Sequence, residues 1–500
     1  MRSSPPPLRL DGTSPWLALR SERTVARAEV VLAVGVLAWC AYRLARGLGP
    51  FPFYNSDSAV PILLMRGLGE GPFTLYYPLQ DRYGMWPLLV GRAFHLVTPE
   101  SFHILQVLGL CSATLPMRRV VGSAATAVLT VLGPFALSQL VAWNNLQAGQ
   151  PYLWQIVALC WAWGACRIGF TGTTRARRVG GLLGFWATGA LATWVSTLSL
   201  AALVVILVLE AMQTRARIAG VVGGVVAIGL AALFEGQIRR LYNWYSRISF
   251  GERYITPLLL DRGHLLSNVG EVLGATWRAG AMVPMLLGAG ALAIPHRTRT
   301  ERFTQLGFIC LGLCVVPAYV LVFHFRSNGF PLRYFSYVTF WGIAAAIYGG
   351  VLLLSALVPR WRRAVPLAGL VALAAVVPAG PVDPLAQERD AARRLVGQEP
   401  RVLLADYWDV YIPASLAPPG ALIPVGADSN LNRFPATLAE VRPGRIVLAP
   451  CSLDAADGTL VQRGALLRRT ADPPIPGVQA PWCLHTVERA ARVPGPRRQP

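Results

Sequence analysis

Eleven stretches of this chain are apolar over the length a helix needs to cross a bilayer, and that constraint precedes every other. Crossing takes roughly 20 residues, within a range of about 17 to 25. The runs are 28–48, 101–117, 120–141, 152–170, 179–195, 197–213, 218–234, 276–295, 304–323, 334–358 and 364–380. Only 14% of the residues are charged and 54% are apolar, whereas a soluble domain carries about 25% charged residues. Such a chain cannot cover itself with water-facing groups. The expected fold class is an α-helical polytopic membrane protein of about eleven transmembrane helices.

The formal net charge is +21, and all 46 basic residues are arginine. These arginines do not gather into one patch with interleaved aromatics, so a nucleic-acid partner is not expected. They fall between apolar runs, at Arg118 and Arg119, Arg167 to Arg178, Arg215 and Arg217, Arg297 to Arg302, and Arg360 to Arg363. With the N-terminus in the cytoplasm, all five clusters land on the cytoplasmic side, as the positive-inside rule requires. One miscounted helix would invert half of them. Residues 1–27 then form a cytoplasmic N-terminal segment leading into an uncleaved first span.

Segments 49–100, 235–275 and everything after 380 face outward on this count. Within the first, Tyr83 to Val97 is short, amphipathic and broken by Pro87 and Arg92, so it reads as a helix lying in the outer interface. The tail, 381–500, has ordinary polarity. Apolar runs at 401–405, 421–425 and 445–449 alternate with Pro/Gly breaks and a helix near 436–441, which predicts a small α/β extracytoplasmic domain. The transmembrane domain accordingly covers 28–380.

Of eight cysteines, six lie in apolar runs and read as small hydrophobes. Cys451 and Cys483 lie in the tail, where an oxidising compartment would allow them to pair.

Acids are scarce in the membrane half, which draws attention to the outward loop Asn55, Ser56, Asp57, Ser58. A carboxylate just beyond a span can take a proton from an incoming hydroxyl or amine. The same four residues are helix N-cap types ahead of a helical stretch, so capping alone also accounts for them. Further along come Gln80, Asp81, Arg82 and Tyr83. Arg82 can meet a phosphate and Asp81 can assist Asp57, although an interfacial aromatic belt with an ion pair has the same look. Arg333, followed by Tyr334, opens the tenth run on the same side. Its guanidinium suits a phosphate bidentately, or else anchors the helix end by snorkelling.

These residues resemble the bacterial GT-C-type membrane glycosyltransferases, of the polyprenyl-phosphate-sugar dependent mannosyl- and aminoarabinose-transferase kind. Asn55 to Met65 and Gln80 to Gly84 resemble that family's "DSDEA…LM" and "GQ.YGG". Arg333–Tyr334 is similar to its "RY" before a late span, and Asp406–Tyr407–Trp408 to its outward "DYW". The sequence departs where Asn55 and Ser58 replace acids, leaving Asp57 as the one acid of its motif, and where Trp86 and Pro87 follow the glycine position.

The resemblance implies transfer of a sugar from a polyprenyl-phosphate donor to a lipid, glycan or protein acceptor on the outer face of a bacterial inner membrane. It implies Asp57 as base, Arg333 and Arg82 as phosphate ligands, and Asp81, Gln80, Tyr83 and Tyr334 as substrate contacts. The resemblance fixes no cofactor; a divalent cation is the one candidate, and a single Asp offers it few oxygen ligands. The alternatives are a flippase or transporter of lipid-linked saccharides and a catalytically inactive, sugar-binding relative. Against transport, the chain shows no inverted repeat and almost no ionisable residue mid-span.

Overall fold

The computed structural model describes residues 15–46, 56–68, 84–147, 150, 152–215, 218–246, 262–294, 298–321, 329–377, 385–396, 402–426, 435–451, 459–462, 465–477 and 481–489. In the membrane half the helices are α1 (Pro15–Ala45), α2 (Ser56–Met65), α3 (Trp86–Ala93), α4 (Pro99–Ser112), α5 (Thr114–Val121), α6 (Ala124–Leu137) and α7 (Gln139–Asn145). There follow α8 (Tyr152–Thr171), α9 (Arg175–Val195), α10 (Ser199–Thr214), α11 (Ile218–Ser246) and α12 (Leu265–Arg278). The last are α13 (Met282–Gly290), α14 (Arg299–Leu313), α15 (Val316–Leu321), α16 (Ser336–Leu357) and α17 (Ala364–Val376).

Among the described residues each of the eleven apolar runs is largely helical, but not every run is one straight span. Among the described residues six helices are long and apolar enough to cross a membrane, or eight if each of two bent pairs counts as one span. The α6–α7 pair turns by 96° and the α12–α13 pair by 87°. In the first, Ser138 takes an extended conformation and its hydroxyl caps α7 at Val141 N–H. In the second, Gly280 adopts φ +68°, a left-handed geometry that costs glycine nothing. Runs 120–141 and 276–295 therefore depart from the expected single helices, because a polar cap and a glycine supply turns that hydropathy averages away. The first helix also begins at Pro15 rather than near residue 28, so part of the expected N-terminal segment is already helical.

Large side chains such as Leu183, Val225, Leu233, Leu287 and Leu357 are exposed on the outside of the bundle. In water that would be an aggregation surface, whereas in hydrocarbon it is the ordinary lipid-facing surface. Between helices the packing relies on small residues, as it must where no hydrophobic drive separates helix from lipid. The α8–α9 crossing is the clearest case: a Cβ on Gly181 would stand 2.2 Å from the backbone nitrogen of Gly169.

Contacts gather the arginine clusters physically at one end of the bundle. Arg299 donates to the Met212 carbonyl at 2.7 Å, Arg362 pairs with Glu301 at 2.7 Å, and Thr304 donates to the Val120 carbonyl at 3.3 Å. Arg167 of α8 is buried against Glu210 of α10 at the same end. The alternation inferred from sequence thus corresponds to one arginine-rich face.

The tail forms α18 (Ala386–Val396), α19 (Tyr407–Leu416) and a six-stranded sheet. The strands are β1 (Val402–Ala405), β2 (Ile423–Gly426), β3 (Ile446–Pro450), β4 (Thr459–Gln462), β5 (Ala465–Arg469) and β6 (Trp482–Arg489), in the order β2-β1-β3-β6-β5-β4. β1 pairs in parallel with β2 and β3, and the β3–β6–β5–β4 half is antiparallel. The three expected strands are β1, β2 and β3, and a 3-10 helix at Pro435–Glu440 stands where a helix was expected. Strands β4, β5 and β6 lie outside that expectation: β4 is only four residues long, and β5 and β6 carry arginines that dilute the apolar pattern.

Cys451 and Cys483 form a disulfide across the end of the β3–β6 pair, with Cα atoms 5.0 Å apart. The other six cysteines are free. Alkylation of the denatured, unreduced chain should therefore label six of its eight cysteines. Reduction should cost the tail roughly 3 to 4 kcal/mol by loop entropy. Labelling of all eight would contradict the bridge.

Candidate functional site

The end of the bundle away from the arginine clusters is where the sheet domain docks and where polar groups collect. Two elements meet there first. Helix α2 packs along α19, burying Ala59, Val60, Leu63 and Leu64 against Val410, Tyr411 and Ala414 in one apolar cluster that also takes in Met85, Leu88 and Phe102. Arg66, just past the end of α2, donates to the carbonyls of Ala417 at 2.7 Å and Ala414 at 3.3 Å and so satisfies the last turn of α19. The two helices therefore share their C-terminal end and run in the same direction. Their first turns, with Asp57 as second residue of α2 and Asp406 at the N-cap of α19, lie at the other end of the pair.

Both first turns favour carboxylates through the helix dipole, yet Asp409 is pulled the other way. Partial burial, and then the charge of Asp406, push its carboxyl above the ordinary value. A carboxyl with a raised folded pKa holds its proton more tightly when folded. Its penalty is thus absent at low pH, grows as pH rises from the unfolded value through the raised one, and is complete above it. Asp409→Asn should accordingly raise the unfolding temperature near neutral pH and leave it unchanged below the ordinary carboxylate range. Thermal unfolding at the two pH values checks this, and an equal gain at both would contradict it.

Next to α2 the chain re-enters through Gly84, where a Cβ would stand 2.1 Å from the carbonyl oxygen of Trp194 at the end of α9. Only glycine lets the backbone pass there. Beyond it α3 buries Trp86, Pro87, Leu88 and Gly91 and exposes Arg92, the short amphipathic helix expected before the second span. Trp86 meets Trp154 of α8 edge to face at a centroid distance of 5.2 Å and Trp161 at 6.5 Å. The indole N–H groups of Trp86 and Trp154 and the amide NH2 of Gln155 are buried without a hydrogen-bond partner among the described residues. Buried donors left open in this way cost about 1–3 kcal/mol each and mark places where a polar ligand or water belongs.

The third element is the 3-10 turn Leu332–Phe335 ahead of α16. Tyr334 is buried, its carbonyl accepting the Tyr319 hydroxyl at 2.7 Å, and the Arg333 guanidinium lies over its ring at 5.5 Å. Behind it the Ser336 hydroxyl reaches the Arg333 carbonyl at 2.9 Å and Asn145 of α7 at 3.2 Å. Asn145 is fully buried, with its amide NH2 open. The turn therefore holds an arginine half-exposed on a rigid footing, which is what bidentate recognition of an oxyanion requires.

Of the residues singled out by sequence, Arg333 and Tyr334 sit in this turn and Asp57 opens α2. Gln80, Asp81, Arg82 and Tyr83 lie outside the described residues. Trp86, Trp154, Gln155 and Asn145 were not singled out, because tryptophans and amides in apolar runs look like core or belt residues until their open donors are seen together. Among the described residues no three His, Cys, Asp or Glu side chains gather as a metal site.

No family model matches the chain, and no curated protein does. Among solved structures it is similar to ArnT from Cupriavidus metallidurans bound to undecaprenyl phosphate, with a TM-score of 0.55, 14% identity, and coverage of 94% of this chain and 100% of that one. The apo state of that protein gives a TM-score of 0.52 over the same shares, again at 14% identity. The Archaeoglobus fulgidus oligosaccharyltransferase, solved with zinc and sulfate, is less similar: TM-score 0.45 and 12% identity over 84% of this chain and 68% of that one. The chain shares the fold of ArnT, in line with the fold that the motif resemblance implied.

Proposed function

We propose that this protein is a membrane glycosyltransferase that moves a sugar from a polyprenyl-phosphate donor to an acceptor on the outer face of the membrane. The observation that carries the reading is the likeness of nearly the whole chain to the ArnT fold. Folds host many functions, so the residues must supply the rest. Asp57 in the first turn of α2 and Arg333 in its braced turn both occupy the end of the bundle opposite the arginine clusters. The four short motifs also follow the family's order along the chain.

In this reading Asp57 accepts the proton of the acceptor hydroxyl or amine as that atom bonds to the anomeric carbon of the donor sugar. The bond from that carbon to the phosphate oxygen breaks, and the electron pair leaves with the polyprenyl phosphate. Arg333, with Arg82 as a second contact, meets the charge developing on the departing phosphate. Asp81, Gln80, Tyr83 and Tyr334 contact the substrates. The open indole and amide donors of Trp86, Trp154 and Gln155 suit sugar hydroxyls, and their rings suit the sugar's apolar face. The arginine-rich face lies in the cytoplasm of a bacterial cell, so residues 381–500 form an extracytoplasmic domain and 28–380 the membrane domain.

The test is consumption of a radiolabelled polyprenyl-phosphate sugar by membranes containing the protein. Consumption with label appearing in an acceptor supports the reading. Movement of the lipid-linked sugar across the bilayer without consumption would instead identify a flippase, and binding without either would identify an inactive relative. Arg333→Lys sharpens the assay, since lysine keeps the charge and loses the planar fork. It should raise the apparent donor KM about tenfold, the worth of one charge-assisted hydrogen bond of roughly 1.4 kcal/mol, with unfolding temperature unchanged. An unchanged KM would remove Arg333 from the donor site.

A further inference from the structure

Helix α12 carries three kinds of surface along its length. Asn268, Val272, Ala275 and Thr276 are buried against the bundle. Leu266, Val269, Leu273 and Trp277 are exposed, Leu266 at 90% and Trp277 at 63%. Ser267, Gly270, Glu271 and Arg278 are exposed as well and form a polar sector. With about 100° of turn per residue, the centres of the three sectors fall about 120° apart around the axis. A helix surrounded by lipid has no use for the polar sector, and a helix surrounded by water has none for the apolar one. One medium on each side, with protein on the third, satisfies all of them.

The direction of α12 follows from its neighbours. Helix α13 lies alongside α16, a helix long enough to cross the membrane. A Cβ on Gly288 would stand 2.7 Å from that of Ala345, and one on Gly349 would stand 2.6 Å from that of Ala291. Because α12 turns from α13 by 87°, it runs across the bundle axis, in the plane of the bilayer. Its level is the end opposite the arginine clusters. There the Thr339 hydroxyl, in the first turn of α16, donates to the Ala279 carbonyl just past α12 at 3.2 Å. The Asn268 amide donates to the Val320 carbonyl of α15 at 3.0 Å. The helix also packs against the Leu332–Phe335 turn that carries Arg333. Beyond the bend, Val283, Leu286 and Leu287 of α13 carry the exposed apolar surface onward into the membrane.

We propose that α12 is seated in the outer leaflet, with Leu266, Val269, Leu273 and Trp277 among the acyl chains and Glu271 and Arg278 toward the water, and that this seat places the adjoining Arg333 turn at headgroup depth. A lipid surface is the partner that fits. The stripe lies in the bilayer plane, continues the lipid-facing surface of α13, and ends in a tryptophan, a residue favoured at that boundary. Residues 265–275, assigned to an outward loop by the arginine count, then belong to the membrane surface. The proposal does not depend on the glycosyltransferase reading.

The experiment uses the full-length protein in phosphatidylcholine vesicles, with a bimane label at Leu273→Cys, Glu271→Cys or Leu332→Cys. All three positions are exposed, so the substitutions leave the packing intact. Wild type treated in the same way gives the background from its six free cysteines. Brominated acyl chains quench labels in hydrocarbon, and iodide quenches labels in water. The Leu273 label should lose fluorescence to the brominated chains and be protected from iodide, with the reverse at Glu271. The Leu332 label should be quenched more by bromines placed near the headgroup than by bromines near the chain ends. Equal access of iodide to Leu273 and Glu271 would overturn the proposal, because α12 would then stand in water. Protection of the Leu273 label from both quenchers would overturn it too, because protein, such as a second copy of the chain, would then cover the stripe. Stronger quenching of the Leu332 label from the chain ends, or none from either depth, would remove the placement of the Arg333 turn.

Discussion

Asp57→Asn is expected to leave a folded, membrane-inserted protein whose transfer rate falls about 100- to 10,000-fold, the usual worth of a positioned general base. Asparagine is chosen because it caps helices as well as aspartate does, so the packing of α2 on α19 should survive. A purely structural role for Asp57 predicts nearly normal transfer, and the base role predicts its loss at unchanged unfolding temperature. The comparison is therefore transfer rate against thermal stability in the same preparation. Full activity in the variant would reduce the loop to a well-capped helix and leave the glycosyltransferase reading resting on fold and motif likeness alone.

Glu210→Ala is expected to have the largest effect on stability. Glu210 is 1% exposed and accepts two hydrogen bonds from Arg167, the Nη2 one at 2.7 Å, and another from the Trp163 indole at 2.6 Å. Gln213 takes a further donor of Arg167 at 2.9 Å. Removing the carboxylate leaves a guanidinium buried between α8 and α10 with its main partner gone, a loss of about 3–5 kcal/mol. Replacing both partners, as in Arg167→Met with Glu210→Leu, should be much milder, because no charge is then left buried. Chemical denaturation of the three variants in detergent measures this. A double variant as unstable as Glu210→Ala would mean that packing, not charge, dominates at this contact. The position lies away from the proposed site, so transfer activity of the surviving folded fraction should be normal.

The sequence by itself determined what depends on composition and on spacing along the chain. The described parts of the eleven apolar runs are largely helical, because a backbone in hydrocarbon must satisfy its own hydrogen bonds within each segment. The arginine clusters lie on one face because charge is costly to bury, and a count of alternate turns is enough to find it. The tail cysteines pair because no other cysteine lies in that domain. Asp57 and Arg333 stand out as candidates because acids are rare in the membrane half and an arginine opening a span is conspicuous.

Tertiary structure decided everything that depends on what lies across from a residue. Ser138 and Gly280 bend two runs by nearly a right angle, and neither residue alters an average of hydropathy. The pairing of α2 with α19 joins segments about 350 residues apart, and nothing local in either announces the other. Trp86, Trp154 and Gln155 became site candidates only when their buried donors proved open, since whether a donor is satisfied is a property of its neighbours and not of its own residue type. Val272 and Leu273 are adjacent and alike in character, yet one is buried against the bundle and the other is exposed. Helix rotation decides that difference, and rotation is set by packing.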